Sequence, residues 1–130
     1  MTVLVAANAS PHGGAALRTG IAEAARRHLP LALLVLDPGE TLPDELAGPL
    51  AELPEGLAQP SVAFRAEADE PSDAILDTVE ALPATLVVIG ARKRSSQGTF
   101  VMGTTTQRVL LDAPVPVLVV KDIYEATEDR

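Results

Sequence analysis

Short apolar runs alternate along the chain with segments in which apolar residues recur at helical spacing. Five runs of aliphatic and β-branched residues are predicted to be strands, at residues 3–7, 31–36, 62–66, 86–89 and 115–120. Most of these runs are apolar at consecutive positions, which is typical of strands that are buried on both faces of a parallel sheet. The pattern therefore favours a sheet with helices packed on both sides.

The segment after the first strand carries start signals for a helix. Ser10 and Pro11 provide an N-cap and a first-turn proline. Leu17, Ile21 and Ala24 then recur on one face of the predicted helix. A helix is therefore expected to connect the first two strands.

Two more helices are predicted ahead of the fourth and fifth strands. Asp69 and Glu70 precede Pro71 at the start of the first of them, and Pro83 ends it. The second covers residues 104–112 and leads into the last strand. Negative charge at a helix start is favourable, so we interpret the acidic residues near position 70 as part of the helix start and not as paired acid–base catalysts.

The middle of the chain is interrupted by proline and glycine. Residues 41–60 are predicted to form at most short helical turns, which Pro49 and Pro54 interrupt. The resulting order, β-α-β-α-β-α-β-α-β, predicts an α/β fold with an open five-stranded parallel sheet in the order 3-2-1-4-5 and right-handed crossovers.

Composition excludes several classes of function. A net charge of −8 argues against a nucleic-acid partner, and an aromatic content of 2% leaves few rings for stacking. The absence of cysteine removes disulfides, thiolate metal sites and cysteine nucleophiles. No apolar stretch reaches the ~18 residues of a membrane span, and no secretory signal is visible. We predict a cytoplasmic protein with a single domain over residues 1–121 and a polar tail over residues 122–130.

The exit of the fourth strand is the strongest candidate site, since ligands of open α/β sheets bind beyond the carboxyl ends of the strands. Arg92 and Lys93 begin a run of three basic residues in an otherwise acidic chain. Gly90 is expected to let the chain turn off the strand, and Gly103 to let the backbone approach a ligand. The residues from Thr104 to Thr106 would then place free amides at a helix N-terminus, which favours phosphate. A solvated surface loop before an ordinary threonine cap explains the same spacing.

The C-terminal stretch TLVVIGARKRSSQGTFVMGTTTQRVLLDAPVPVLVVK resembles the end of a universal stress protein domain. The family motif is Gly, two residues, Gly, nine residues, Gly and then Ser or Thr. Gly90, Gly103 and Thr104 match it, whereas Lys93 replaces the second glycine. The opening VLVAANAS, the segment LLVLDP and the segment RAEADEPSDAIL are similar to earlier parts of the same family. Asn8 stands where the family usually has Asp.

The resemblance implies a small stress or signalling module that binds ATP, with or without Mg²⁺. Phosphate or ribose contacts are implied for Gly90, Gly103, Thr104 and Thr105. Asn8 and the backbone near Val35 are implied to lie by the adenosine. The expected cofactor-binding residues also include Ala9, Ser10, Arg92 and Lys93. The Lys93 side chain can either crowd the phosphate path or attract the phosphate.

Two other functions remain open. The chain can be a dimeric interaction protein of the same fold that binds no nucleotide, or an enzyme of the adenine-nucleotide α-hydrolase type, although the phosphate motifs of those enzymes are absent. No serine pairs with histidine and aspartate at a recognisable spacing, so we expect no catalytic residue, no metal site and at most weak ATP hydrolysis. His12 follows the first strand, in the turn where a ligand would lie, so its side chain can face the site; we interpret it instead as a solvated loop residue.

The last predicted strand suggests a homodimer. The run that begins at Val115 and ends at Val120 is apolar throughout and would lie at an edge of the sheet. Pro116 lacks an N–H group, which is tolerated at an edge but not in the centre of a sheet. The resemblance implies the same arrangement, because many members of the family join two such strands about a two-fold axis. Coverage of this edge by the tail, from Lys121 to Tyr124, is the alternative that would keep a monomer.

Overall fold

A computed structural model describes residues 1–93 and 100–121 of the chain. Helices and strands alternate along it almost without exception. The elements are β1 (Thr2–Ala7), α1 (Pro11–Arg27), β2 (Leu31–Val35), α2 (Asp44–Leu50), β3 (Ser61–Phe64), α3 (Pro71–Ala81), β4 (Ala84–Lys93), β5 (Phe100–Val101), α4 (Thr104–Asp112) and β6 (Val117–Lys121). None of the helices in the described ranges is long and apolar enough to cross a membrane.

Five of the strands form one parallel sheet in the order β3-β2-β1-β4-β6. The predicted open five-stranded sheet, with strand order 3-2-1-4-5, is therefore confirmed. β5 is an addition that the sequence pattern did not predict. It consists of two residues and pairs antiparallel with the last two residues of β4.

β4 extends four residues beyond its predicted end. Gly90 pairs with Val120 and Ala91 pairs with Lys121, while Arg92 and Lys93 pair with β5. The expectation that the chain turns off the strand at Gly90 is therefore wrong, because β4 continues to Lys93 and its last four residues still pair with β6 or β5.

The core consists of two clusters on opposite faces of the sheet. Val3 and Val5 belong to the cluster under α1 and α2, whereas Leu4 and Ala6 belong to the cluster under α3 and α4. Successive residues of a strand point to opposite faces, so burial on both faces explains why β1 is apolar at consecutive positions.

Two prolines lie near the ends of elements whose bounds differ from those predicted from the sequence. Pro49 lies inside α2, near its end, where it removes a single helical hydrogen bond, so it does not interrupt the helix. Pro116 precedes β6, which begins at Val117 instead of Val115. The carbonyl of Pro116 nevertheless accepts a hydrogen bond of 3.1 Å from the N–H of Val87, so this proline still contacts the sheet.

Candidate functional site

A cleft of about 490 Å³ lies at the carboxyl ends of β1, β2 and β4. This is where a parallel sheet with helices on both faces offers a binding site, and the volume is within the range of small-molecule pockets. Its described lining consists of Ala6, Ala7, Asn8, His12, Gly13, Leu36, Asp37, Arg65, Pro71, Ile89, Gly90, Arg92, Gly103, Thr104, Thr105 and Thr106.

Two glycines let the first turn of α1 lie against the strand ends. A Cβ atom on Gly13 would lie within 3.0 Å of the backbone of Asn8, and one on Gly90 would lie within 3.0 Å of the carbonyl of His12. Real side chains do not approach backbone atoms so closely. Gly90 is therefore needed for the contact between β4 and α1, and this contact forms one wall of the cleft.

Ser10 fixes the start of α1 beside this wall. Its hydroxyl oxygen accepts a hydrogen bond of 3.0 Å from the N–H of Gly13 and donates one of 2.5 Å to the side-chain oxygen of Asn8. The predicted N-cap is confirmed, and the Asn8 side chain is held at the edge of the cleft.

The N-terminus of α4 forms the opposite wall. Gly103 is the N-cap residue, with an extended backbone (φ −68°, ψ 172°), and no side chain in the described part of the protein caps the helix. The first N–H groups of an α-helix have no partner within the helix, and they carry partial positive charge. Thr104, Thr105 and Thr106 line the cleft at this end and add hydroxyl groups. Among the residues that the structure describes, nothing lies within 4 Å of the position of a Cβ atom on Gly103, so no described group closes the cleft in front of the cap.

Asp37 joins the exits of β1 and β2. One of its carboxylate oxygens, Oδ2, accepts a hydrogen bond of 2.6 Å from the N–H of Ala9. The neighbouring residue, Leu36, donates its N–H to the carbonyl of Ala7 at 2.8 Å. The two loops that follow these strands are thereby held together at the edge of the cleft.

Arg65 holds the next loop in place. Its guanidinium donates to the carbonyl of Leu36 at 2.8 Å and to the carbonyl of Asp69 at 2.6 Å. Longer bonds of 3.3 and 3.4 Å reach the carbonyls of Ala66 and Glu67. A side chain that lines the cleft thus connects the exit of β2 to the loop between β3 and α3.

A second polar network lies between α3 and α4. Glu70 caps α3 by accepting from the N–H of Asp73 at 3.1 Å, and it also accepts from the hydroxyl of Ser72. Arg108 of α4 contacts Asp73 at 2.7 Å and Glu70 at 3.4 Å. The hydrogen bond from Ser72, more than any other contact, lowers the pKa of Glu70 below its ordinary value. The interpretation of these acids as part of a helix start is therefore confirmed.

Six of the ten predicted cofactor-binding residues line the cleft, namely Asn8, Gly90, Arg92, Gly103, Thr104 and Thr105. Ala9 and Ser10 are not lining residues, but each hydrogen-bonds to one. Val35 is fully buried in the core, and its neighbour Leu36 lines the cleft instead. The backbone of Lys93 ends β4, but its side chain lies outside the described part of the protein.

Four polar lining residues are not among the ten expected cofactor-binding residues. His12 belongs to the first turn of α1 and lines the cleft, so its interpretation as a loop residue is wrong. Thr106 continues the threonine run already singled out. Asp37 follows a predicted strand directly, and that position was a usable signal. Nothing in the sequence marks Arg65, because its partners are backbone carbonyls.

No group of three or more His, Cys, Asp or Glu residues able to hold a metal ion occurs within residues 1–93 and 100–121.

Comparison with known proteins identifies the family. The model of the universal stress protein family matches residues 1–121. A universal stress protein of Mycolicibacterium smegmatis is 33% identical over 125 residues, which cover 92% of this chain and 96% of that protein. The structure of a universal stress protein from Archaeoglobus fulgidus superposes with a TM-score of 0.72 and 27% identity, over 93% of this chain and 98% of the other.

Several solved structures with this fold contain nucleotides. A universal stress protein from Archaeoglobus fulgidus in complex with dAMP aligns with a TM-score of 0.69 and 24% identity, over 93% of this chain and 98% of that one. A family protein from Arabidopsis thaliana with AMP bound has a TM-score of 0.60 and 16% identity, over 98% of this chain and 95% of that one. Another was solved in complex with cAMP. At these identities the likeness concerns the fold alone.

The family model covers all of the described residues, and the mycobacterial relative exceeds 30% identity over more than nine-tenths of the chain. The resemblance seen in the glycine motif and in the closing strand is thereby confirmed. The chain is a member of the universal stress protein family.

Proposed function

We propose that this protein binds an adenine nucleotide in the cleft and acts as a nucleotide-dependent regulator in a stress or signalling response. The observation that carries the proposal is the N-terminus of α4, where Gly103 leaves the cleft open in front of a helix that no described side chain caps. Related structures that hold dAMP, cAMP and AMP support the choice of ligand class.

The phosphate groups would bind at the N-terminus of α4. The amides of Thr104 to Thr106 supply donors, and the helix dipole adds partial positive charge. Arg92, which is exposed and lines the cleft, adds a formal charge near the same wall. The chain as a whole has a net charge of −8 and repels anions. The positive potential at this end of the cleft is therefore what would attract an anion.

The nucleoside would lie toward the exits of β1 and β2. Leu36, Ile89 and Pro71 give this part of the cleft apolar surface, and Asn8 and Asp37 give it hydrogen-bonding groups. Mostly apolar walls with a few placed polar groups are usual for small-molecule sites.

We infer a binding role more than a catalytic one. Fast hydrolysis of ATP needs a group that orients or deprotonates the attacking water. The titratable lining groups of the described chain are His12, Asp37 and the arginines, and the Asp37 carboxylate is already hydrogen-bonded to the backbone. Mg²⁺ would accompany the phosphates of ATP without a dedicated protein site.

The second candidate function is that of a dimeric interaction protein that binds no nucleotide. It is favoured by β6, which pairs with β4 on one side and has no second partner strand in the described part of the protein. We propose that the protein forms a homodimer through this edge whether or not nucleotide is bound.

Equilibrium dialysis with labelled ATP and AMP, with and without Mg²⁺, tests the proposal. We expect saturable binding of one nucleotide per chain. Unlabelled AMP should displace the labelled nucleotide, and a sugar phosphate that lacks the adenine base should not. Protein that is folded by circular dichroism but retains no labelled nucleotide would favour the interaction protein instead.

A further inference from the structure

Asp37 is unusual in a cleft that is otherwise suited to an anion. It is the one acidic residue among the described lining residues, beside His12, Arg65 and Arg92. A carboxylate close to phosphate would weaken the binding of any nucleotide by repulsion. Asp37 must therefore lie far from the phosphates, or another contact must offset the repulsion.

The sheet separates Asp37 from the phosphate end. Asp37 follows β2, whereas the loop to α4 follows β4, and β1 lies between these two strands. Neighbouring strands are about 4.8 Å apart, so the exit of β2 is about 10 Å from the exit of β4. This separation corresponds to the nucleoside part of a nucleotide whose phosphate lies at α4.

The hydrogen bonds of Asp37 leave one oxygen for a ligand. Oδ2 accepts the N–H of Ala9 at 2.6 Å, which fixes the carboxylate across the two strand exits. Oδ1 has no hydrogen-bond partner among the residues that the structure describes. A carboxylate is an acceptor only, so a group that binds to it must carry an N–H or O–H donor.

We propose that Asp37 determines specificity by accepting a hydrogen bond from the nucleoside, either from a ribose hydroxyl or from the 6-amino group of adenine. This inference rests on the proposed function, since it assumes a nucleotide with its phosphate at α4. If an acceptor replaces the donor in a ligand, that acceptor faces the carboxylate lone pairs with no proton between them. Such a ligand would bind more weakly.

Four nucleotides distinguish the two donors. We would measure calorimetric affinities of AMP, 2′-deoxy-AMP, 3′-deoxy-AMP and IMP, in which a carbonyl replaces the 6-amino group. Hydrogen bonds to charged groups are strong enough that the nucleotide lacking the donor should bind roughly tenfold more weakly than AMP. Equal affinity of the protein for all four would overturn the inference, and failure to bind AMP at all would overturn the proposed function together with it.

Asp37→Asn tests the assignment to this residue. The asparagine oxygen can still accept the N–H of Ala9, so the fold and the loop contact are kept. Discrimination between AMP and the weak analogue should fall to less than about threefold, because the amide can also donate. If IMP is the weak analogue, its affinity should rise in this variant.

Glu40→Gln is the matched control, because Glu40 is exposed on the same loop, outside the lining, and its substitution removes the same charge. It should leave the discrimination of the unsubstituted protein unchanged. If both variants raise the affinities of all four nucleotides equally at low salt, Asp37 acts only through its charge, and the inference is wrong.

Discussion

The three glycines of the site have two different physical roles. Gly13 and Gly90 are required because another backbone segment occupies the space that a Cβ atom would need. Gly103 has no described residue within 4 Å of the same position, and its extended backbone is one that any residue can adopt. Substitutions at the first two positions should therefore affect folding, whereas a substitution at Gly103 should affect only what enters the cleft.

Gly90→Ala tests the packing role. The added methyl group would collide with the carbonyl of His12, so α1 or β4 must shift. We expect the free energy of unfolding in urea to fall by about 1–3 kcal/mol, the usual cost of overpacking. Gly48→Ala is the control, because a Cβ atom at Gly48 has no described neighbour within 4 Å and alanine is the better helix former. Equal stability of the Gly90→Ala variant and the unsubstituted protein would contradict the assignment.

At the scale of elements, the cleft depends on loops that are tied to one another by few side chains. Arg65 connects the exit of β2 to the loop before α3 through four backbone carbonyls. Arg65→Met keeps the apolar stem and removes these hydrogen bonds. The expected loss is about 1–2 kcal/mol of unfolding free energy, because several of the bonds are solvent-exposed.

Arg26→Met is the matched control for this prediction. Arg26 is largely exposed, and its one described ion pair, with Glu23, lies on the surface of α1. Exposed pairs of this kind contribute little. If Arg65→Met loses no more stability than Arg26→Met, the hydrogen bonds of Arg65 do not hold the loops of the cleft together.

The start of α3 predicts a dependence of stability on pH. The pKa of Glu70 is lowered from its ordinary value of 4.5, first by the hydrogen bond from Ser72 and then by the N–H of Asp73. A carboxyl group with a depressed pKa in the folded state contributes stability that is present above pH 4.5 and is lost as the pH falls below it.

Glu70→Gln should therefore be less stable than the unsubstituted protein at neutral pH, and the difference should shrink as the pH falls below 4.5. Urea unfolding across this range measures it. Glu80→Gln removes an exposed acid from the same helix without touching the network and serves as the reference. A difference that stays constant down to acidic pH would mean that the Glu70 charge contributes nothing.

The elements were predictable from sequence because burial on both faces leaves continuous apolar runs, as in β1 and β2. The extension of β4 was not predictable, since Arg92 and Lys93, which pair with β5, have no strand-like pattern. The same limit applies to the site. Glycine and threonine at a strand exit and helix start identified the α4 wall, whereas Arg65 acts through main-chain carbonyls, which leave no signature in a sequence.

At the scale of the whole molecule, the open edge of β6 predicts self-association. The carbonyl of Pro116 accepts a hydrogen bond from the N–H of Val87 in β4. Because alternate residues of a parallel strand direct their N–H groups to opposite sides, the N–H of Val119 points away from β4. Val119→Pro removes one outward N–H and keeps an apolar side chain. Sedimentation velocity at micromolar concentration should show a dimer for the unsubstituted protein and a shift to monomer for this variant.

Val119→Thr keeps the outward N–H group and is expected to remain dimeric. Circular dichroism of both variants would establish that the domain is folded. A monomer for the unsubstituted protein, unchanged in either variant, would discard the edge-to-edge dimer.

The central claim is that the open N-terminus of α4 binds the phosphate of an adenine nucleotide. Calorimetric titration of Gly103→Val with AMP and ATP tests it most directly, because no described residue lies within 4 Å of the new Cβ atom, so the valine is expected to exclude the ligand without disturbing the described packing. Gly48→Val introduces the same side chain at another open glycine, away from the cleft. We predict binding to the unsubstituted protein and to Gly48→Val, and at least a tenfold loss in Gly103→Val with the thermal midpoint unchanged within about 2 °C. Equal nucleotide affinity in all three proteins would contradict the account.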